Sequence, residues 1–288
     1  MHFFELGSKR LYCLGKFIKV CGLADAWYED VDDPLSIVAS LKKETHGTHL
    51  FTFFQRPPHT EPRFHYYMEP YPVSVIKITS YEDWWTNSIQ KKTRQAVKKA
   101  HKEGVEIRIE NYNDEFIRGI SQIYNETPIR MGKRFPHYND SFEKVKEENG
   151  TFVDRSIFLG AYYNNELIGF TKIVFEKEFA DILQHLSKIA YRDLNPSNAL
   201  MAKAIEVCAE RHAGYLAYGD WDSGGLGDFK RHSGFSKMVV PKYYIPINWV
   251  GAVALKFKLH KGLSYRLPKK VILFLKKTRL KWYQLLLK

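Results

Sequence analysis

The stretch SIFLGAYYNNELIGFTKIVF, residues 156–175, constrains the fold more tightly than any other part of the chain. Two apolar runs of strand length flank Asn164-Asn165, a pair that tolerates positive φ and so suits a tight hairpin. A third strand-like run, FADILQHLSKIAY, follows, and after RDLNPSN comes the amphipathic segment ALMAKAIEVCAERHAG. There Leu200, Ala204 and Cys208 share one stripe, Asn195 and Pro196 occupy the N-cap and first helical positions, and Gly214 ends the helix. Upstream, Trp85, Ile89, Ala96, Val97 and Ala100 recur at helical spacing and predict a helix from Trp84 to Lys102, closed by Gly104. A second helix, DEFIRGISQIYNE, runs to the breaker Thr127-Pro128. Downstream, the strand-like GYLAYGDW and KMVVPKYYIPI flank GLGDFKRHSGF, which reads as a short helix. This order predicts one mixed α/β (α+β) sheet with helices on both faces.

Charge is distributed in a way that bears on partners. The net charge is +12, yet all 32 acidic residues precede Phe229, and the segment from there to Lys288 carries fifteen Lys and Arg. A basic terminal segment on a slightly acidic body suits an anionic lipid surface as well as a nucleic acid. The longest uncharged run near that end, Tyr243 to Leu255, falls short of the roughly 18–20 residues that a membrane span needs. The three cysteines, Cys13, Cys21 and Cys208, show neither disulfide-framework nor zinc spacing, and no metal-ligand cluster, nucleophile elbow or P-loop is legible. Cytoplasmic placement is the expectation, with peripheral attachment to the cytoplasmic membrane face through the tail. Three segments follow: 1–80 as an N-terminal partial lobe, 81–250 as the main domain, and 251–288 as a basic tail. Within that tail a helix would group Ile272, Leu275, Trp282 and Leu286 against Lys276, Lys277 and Lys281.

Three stretches resemble the GNAT superfamily of acyltransferases, in particular the Fem-type peptidyl transferases and single-domain relatives found among polysaccharide genes. RQAVKKAHKEGVEI is similar to the basic helix before the second Fem lobe, NPSNALMAKAIEVCAERHAGYLAYG to the proline-led helix and its following strand, and LGDFKRHSGF to the Phe-Lys and Gly-Phe turn. The resemblance covers about 81 to 250 and implies a GNAT-like sheet with acyl-CoA, such as acetyl-CoA, or aminoacyl-tRNA as co-substrate. Two features depart from it. The loop YRDLNPSN lacks the glycines that cradle a pyrophosphate in CoA-dependent members, and only about 80 residues stand where Fem enzymes have a complete first lobe.

Candidate site residues follow from that resemblance and from the needs of acyl transfer, which requires a route for the amine's proton, donors for an oxyanion and a cation or acid for the leaving group. Lys230 stands where the ordinary GNAT pattern has a tyrosine and is expected to present a cation at the mouth of the sheet. Glu126 is the candidate proton acceptor, and His185 on the third strand could reach the reacting centre. Arg192, Asn195, Ser197 and Asn198 surround the helix start, where free backbone N–H groups favour a phosphorylated donor. Arg130, Lys133, Arg134, His137 and Tyr138 are expected to face an amine-bearing sugar or peptide precursor. The competing expectation is a non-catalytic scaffold of the same fold that binds a membrane surface or a polysaccharide-synthesis partner.

Overall fold

The protein is described from a computed structural model covering residues 2–43, 47–262, 271 and 278. The chain forms β1 (His2–Leu6), β2 (Lys9–Leu14), β3 (Val20–Leu23), α1 (Pro34–Lys43), β4 (Leu50–Phe54) and β5 (Tyr67–Lys77). Next come α2 (Tyr81–Asp83), α3 (Lys91–Lys102), β6 (Glu106–Glu110), α4 (Asp114–Tyr124), the two-residue strands β7 (Ile129–Arg130) and β8 (Lys133–Arg134), and α5 (Phe142–Asn149). The remainder is β9 (Ser156–Tyr163), β10 (Glu166–Glu176), β11 (Phe179–Ser187), α6 (Pro196–Glu210), β12 (Tyr215–Asp220), α7 (Gly225–His232), β13 (Ser236–Pro246) and α8 (Trp249–Lys256).

Two compact units result. One gathers residues 1–71 and 239–288, and the other is 72–238. The sequence reading has three consecutive segments with boundaries near 80 and 250; instead both chain ends contribute to one unit, because β13 supplies the antiparallel neighbour of β4 over Lys242–Pro246. The residues expected to form the tail helix, Ile272, Leu275, Trp282 and Leu286 with Lys276, Lys277 and Lys281, lie outside the described residues.

In the unit formed by both ends, β1, β2 and β3 pair antiparallel, β3 lies parallel to β4, and β4 pairs with β13. Ile37, Val38 and Leu41 of α1 pack on Leu11, Leu23, Phe51 and Tyr243. The Tyr243 hydroxyl, which burial would strand, donates to Gln55 Oε1 at 2.6 Å and accepts from the Arg63 backbone N–H at 2.9 Å. Cys13 and Cys21 face each other across β2 and β3, with Cα atoms 4.2 Å apart, as a disulfide. That corrects the expectation of unpaired thiols: spacing along the chain conceals a pairing set by strand register.

The other unit carries a sheet in the order β5–β12–β11–β10–β9–β6. All its pairings are antiparallel except β11 with β12. The Asn164-Asn165 turn has φ of 49° and 62°, as the hairpin reading requires. On one face, Val97 and Ala100 of α3 and Leu200, Ala204 and Ile205 of α6 cover Ile168, Ile173, Ala180 and Leu216. On the other, Phe116, Ile117 and Ile120 of α4 and Val145 of α5 cover Phe158, Leu167 and Phe170. Helices on both faces of a mixed sheet are thus observed, and burial of this many large apolar side chains, each worth roughly 1.5–3 kcal/mol, is what holds them there.

The expected long helix from Trp84 is interrupted. A π-turn over Trp84–Ser88 ends at Ile89, whose ψ of 139° is extended, before α3 begins. Tertiary bonds explain the break: Trp84 Nε1 donates to Ser233 O at 2.9 Å and Gln90 N to His232 O at 3.1 Å, so the chain is pulled onto the turn after α7. Elements absent from the reading of the sequence include α1, β6, α5 and α8.

Candidate active site

β11 and β12 pair over only three residues, Phe179↔Tyr215 to Asp181↔Ala217. Beyond them each strand goes its own way. A bulge at Leu183 shifts the register of β11 against β10, where Lys172 faces Gln184 while Ile173 faces Ile182. On β12, the pairing with β5 shifts between Ala217 and Asp220, next to Gly219 at φ 56°. The two strand ends therefore splay, and α6 connects them across one face.

Aromatic side chains meet at the splay. The His185 imidazole stacks on Phe229 at 5.4 Å between centroids and meets the Tyr218 ring edge-on at 5.9 Å. His185 Nδ1 lies 2.7 Å from Thr171 Oγ1, while its buried Nε2 has no hydrogen-bond partner. Burial pushes this imidazole down to about 4, so it is neutral at physiological pH; in the tautomer that donates from Nδ1 to Thr171, Nε2 is an acceptor.

Lys230 lies beside this group and is 2% exposed. Its Nζ donates to Asp222 Oδ2 and to Asp220 O, both at 2.7 Å, and stands 4.7 Å from the centre of the Tyr218 ring. Burial, then the negative charges of Asp181 and Asp222, raise the Tyr218 phenol well above its usual range. The ammonium is thus enclosed and neutralised, which differs from the expected open cation at the mouth of the sheet. α7 can seat Lys230 so deeply because of a glycine: a Cβ on Gly227 would come within 2.1 Å of Asp222 O. This is the reason for Gly227 in GLGDFKRHSGF.

Glu126 and Arg130 form a clamp. The Glu126 carboxylate accepts from the backbone N–H groups of Ile189 and Ala190 at 2.8 Å and from Arg130 Nη2 at 2.9 Å. Arg130 also donates to Ser187 O and Ile123 O, at 2.9 and 2.7 Å. Both side chains fasten the loop after β11, which differs from their expected roles as proton acceptor and acceptor-facing cation. Lys133 and Arg134 lie exposed on β8, paired with Arg130 and Ile129 of β7.

His137 stacks on Tyr124 at 4.9 Å, with Nδ1 3.3 Å from Asp140 and 3.0 Å from Glu148. These three side chains bring ligand atoms within 4.8 Å of one another, a grouping not legible from their spacing. The Lys144 ammonium bridges both carboxylates, at 2.6 and 3.8 Å, and supplies the positive charge there. Tyr138 is half-buried close by.

The start of α6 is assembled as follows. Arg192 is exposed in a 3-10 turn, and Asn195 adopts a left-handed conformation at φ 57° without capping through its side chain. Its Nδ2 instead donates to Asp193 O at 3.1 Å. Ser197 Oγ is 2.8 Å from Ser187 Oγ, so the first turn of α6 is fixed to the end of β11, and Asn198 follows half-buried. Pro196 has no N–H, and the Asn198 and Ala199 amides donate to Asn195 O at 3.1 and 3.3 Å, so this end presents the Ser197 amide and the helix's partial positive charge. Thr171 and Tyr218 escaped the sequence reading, whereas the Asp-x-Asp of Asp220 and Asp222 after the strand-like GYLAYGDW reads as a cap of the GGLGD turn.

No protein-family model matches the sequence, and no curated protein matches it. Solved structures do. The C-terminal domain of a protein described as a lysylphosphatidylglycerol synthetase of Agrobacterium fabrum aligns over 90% of this chain and 88% of its own, with TM-score 0.57 and 11% identity. FemX aligns over 81% and 83%, with TM-score 0.53 and 13% identity. L-PGS of Bacillus licheniformis aligns over 84% and 83%, with TM-score 0.51 and 15% identity. The chain thus has a GNAT-like fold resembling that of Fem-type proteins.

Proposed function

We propose that the protein is an N-acyltransferase that moves an acyl or aminoacyl group from acyl-CoA or aminoacyl-tRNA to an amine of a cell-envelope or surface-polysaccharide precursor. The observation that carries this reading is the splay after Asp181 and Ala217, with the unpartnered Nε2 of His185 buried at it. The donor's phosphates would lie against the first turn of α6, with Arg192 as a further contact. Its reacting carbonyl would enter between the strands, where the bulge at Leu183 leaves backbone donors outside the regular ladder to meet a developing oxyanion. His185 would accept a hydrogen bond from the attacking amine. Lys230 would hold Tyr218 and the Asp220–Asp222 turn in place. Glu126 and Arg130 would position the donor loop.

A second reading, a non-catalytic scaffold of this fold, is favoured by the enclosure of Lys230 and by the lack of glycine in YRDLNPSN. Thermal stabilisation by acetyl-CoA, a long-chain acyl-CoA and an aminoacyl-tRNA, compared side by side, separates the two. A donor should raise the melting temperature, and His185→Ala and Lys230→Ala should each lower its transfer to an amine by about 10²- to 10³-fold. Absence of stabilisation by every donor would leave the scaffold.

A further inference from the structure

The unit formed by both chain ends has a cavity of its own, about 590 Å³, that the proposed transfer does not use. This volume is ordinary for a ligand site. Its wall is largely apolar, with Leu14, Ile18, Val20 and Leu259 beside the rings of Tyr12 and Tyr244. Lys16 and Lys242 bring positive charge to the same wall.

His260 lines this cavity with a side chain only 1% exposed. Its Nε2 is 3.2 Å from Glu69 Oε1, whereas the buried Nδ1 has no hydrogen-bond partner. With Nε2–H donating to the Glu69 carboxylate, Nδ1 is the acceptor nitrogen, and burial leaves it unsatisfied unless a donor binds it. The apolar wall and the two lysines thus ask for a ligand with a long apolar part and a negatively charged end, and one that also carries a hydroxyl could donate to His260 Nδ1.

The surface around this cavity shows where such a ligand would come from. Phe17, a lining residue, is 88% exposed, and Leu14 is 45% exposed. On α8, Ala254 and Leu255 are buried in a cluster with Ile18, Val20 and Leu259 of the cavity wall. Trp249, Val253 and Phe257, at i, i+4 and i+8, lie 76%, 41% and 58% exposed. Lys256 and Lys258 are exposed beside them. An outward stripe of Trp, Val and Phe among lysines is the pattern of a segment resting in a lipid interface, and the absence of acidic residues after Asp228 favours an anionic one.

We propose that this cavity takes the acyl chain and anionic head of a membrane phospholipid, presented by a bilayer on which Phe17 and the outer stripe of α8 rest. The site is separate from the one assigned to transfer, so either assignment can fail without the other.

The test is co-sedimentation of the full chain with vesicles of phosphatidylcholine alone or with one-third phosphatidylglycerol. Binding about tenfold tighter to the anionic vesicles is expected, and the double variant Phe17→Ser/Trp249→Ser should lose about that much. Both proteins keep the whole basic C-terminal segment, so its contribution cancels in the comparison. Monomeric dodecyl phosphate should raise the melting temperature of the wild type, inorganic phosphate should not, and Leu14→Asp should abolish the effect. Equal partition of wild type and double variant would overturn the proposal, as would stabilisation by inorganic phosphate equal to that by dodecyl phosphate. So would lipid-free self-association that the double variant abolishes, because the stripe would then be a contact between copies.

Discussion

Three lysines are buried in the unit spanning 72–238, and the two deepest, Lys172 and Lys230, are accommodated by opposite means. Lys230 has a carboxylate, Asp222, at 2.7 Å and the face of Tyr218 above it. Lys172, 0% exposed on β10, donates to Asn149 O at 2.8 Å, to Thr151 Oγ1 at 3.2 Å and to Thr151 O, all neutral acceptors. Burial draws its ammonium down to about 8. A charge given a counter-ion can stay charged at a site where charge is useful; one given only carbonyls is a staple, here tying the connection after α5 to the sheet. The difference teaches which of the two to suspect of a role in function.

Removing the counter-ion breaks the comparison most sharply. Asp222→Ala leaves the Lys230 charge buried with one carbonyl and a ring, and should cost about 2–3 kcal/mol in urea unfolding, reduced from the full buried-pair value because the Asp222 side chain is 37% exposed. Lys230→Met, which removes the charge with its need for a partner, should cost about 1 kcal/mol less than that.

Lys172 supplies the next effect, and its sign is set by its lowered value. Between about pH 8 and its ordinary 10.5 the folded protein has released this proton while the unfolded chain retains it, so stability rises with pH across that window. A gain of about 1–3 kcal/mol is expected by pH-dependent unfolding, and Lys172→Met should flatten it. The smallest effect concerns the loop clamp: Glu126→Gln keeps the shape but weakens the charge-assisted bonds to Arg130, Ile189 and Ala190. About 1 kcal/mol of stability should be lost, with faster hydrogen exchange at the Ile189 and Ala190 amides.

Much of the fold was legible because it rests on local signals. The Asn164-Asn165 hairpin, the proline-led start of α6, and the amphipathic α4 declare themselves through turn chemistry and spacing, and the structure has each of them. The site was less legible. Lys230 and His185 were singled out and are brought together with Tyr218, yet Glu126 and Arg130, chosen because polar and aromatic residues crowd around them, turn out to hold a loop. Composition reports that polar groups are present; it is silent on which backbone amides they face.

The succession α3, α4, β9, β10, β11, α6, β12, α7 and β13 and the two-faced sheet were determined by the sequence alone, since periodicity and turn residues act over a few neighbours. Only the tertiary structure decided that β11 and β12 part after Asp181, that Ile89 breaks a helix to reach the α7 turn, that Cys13 finds Cys21, and that residues near both termini build one unit. Each of these depends on groups far apart in the chain meeting in space, where hydrogen-bond satisfaction and packing overrule local preference.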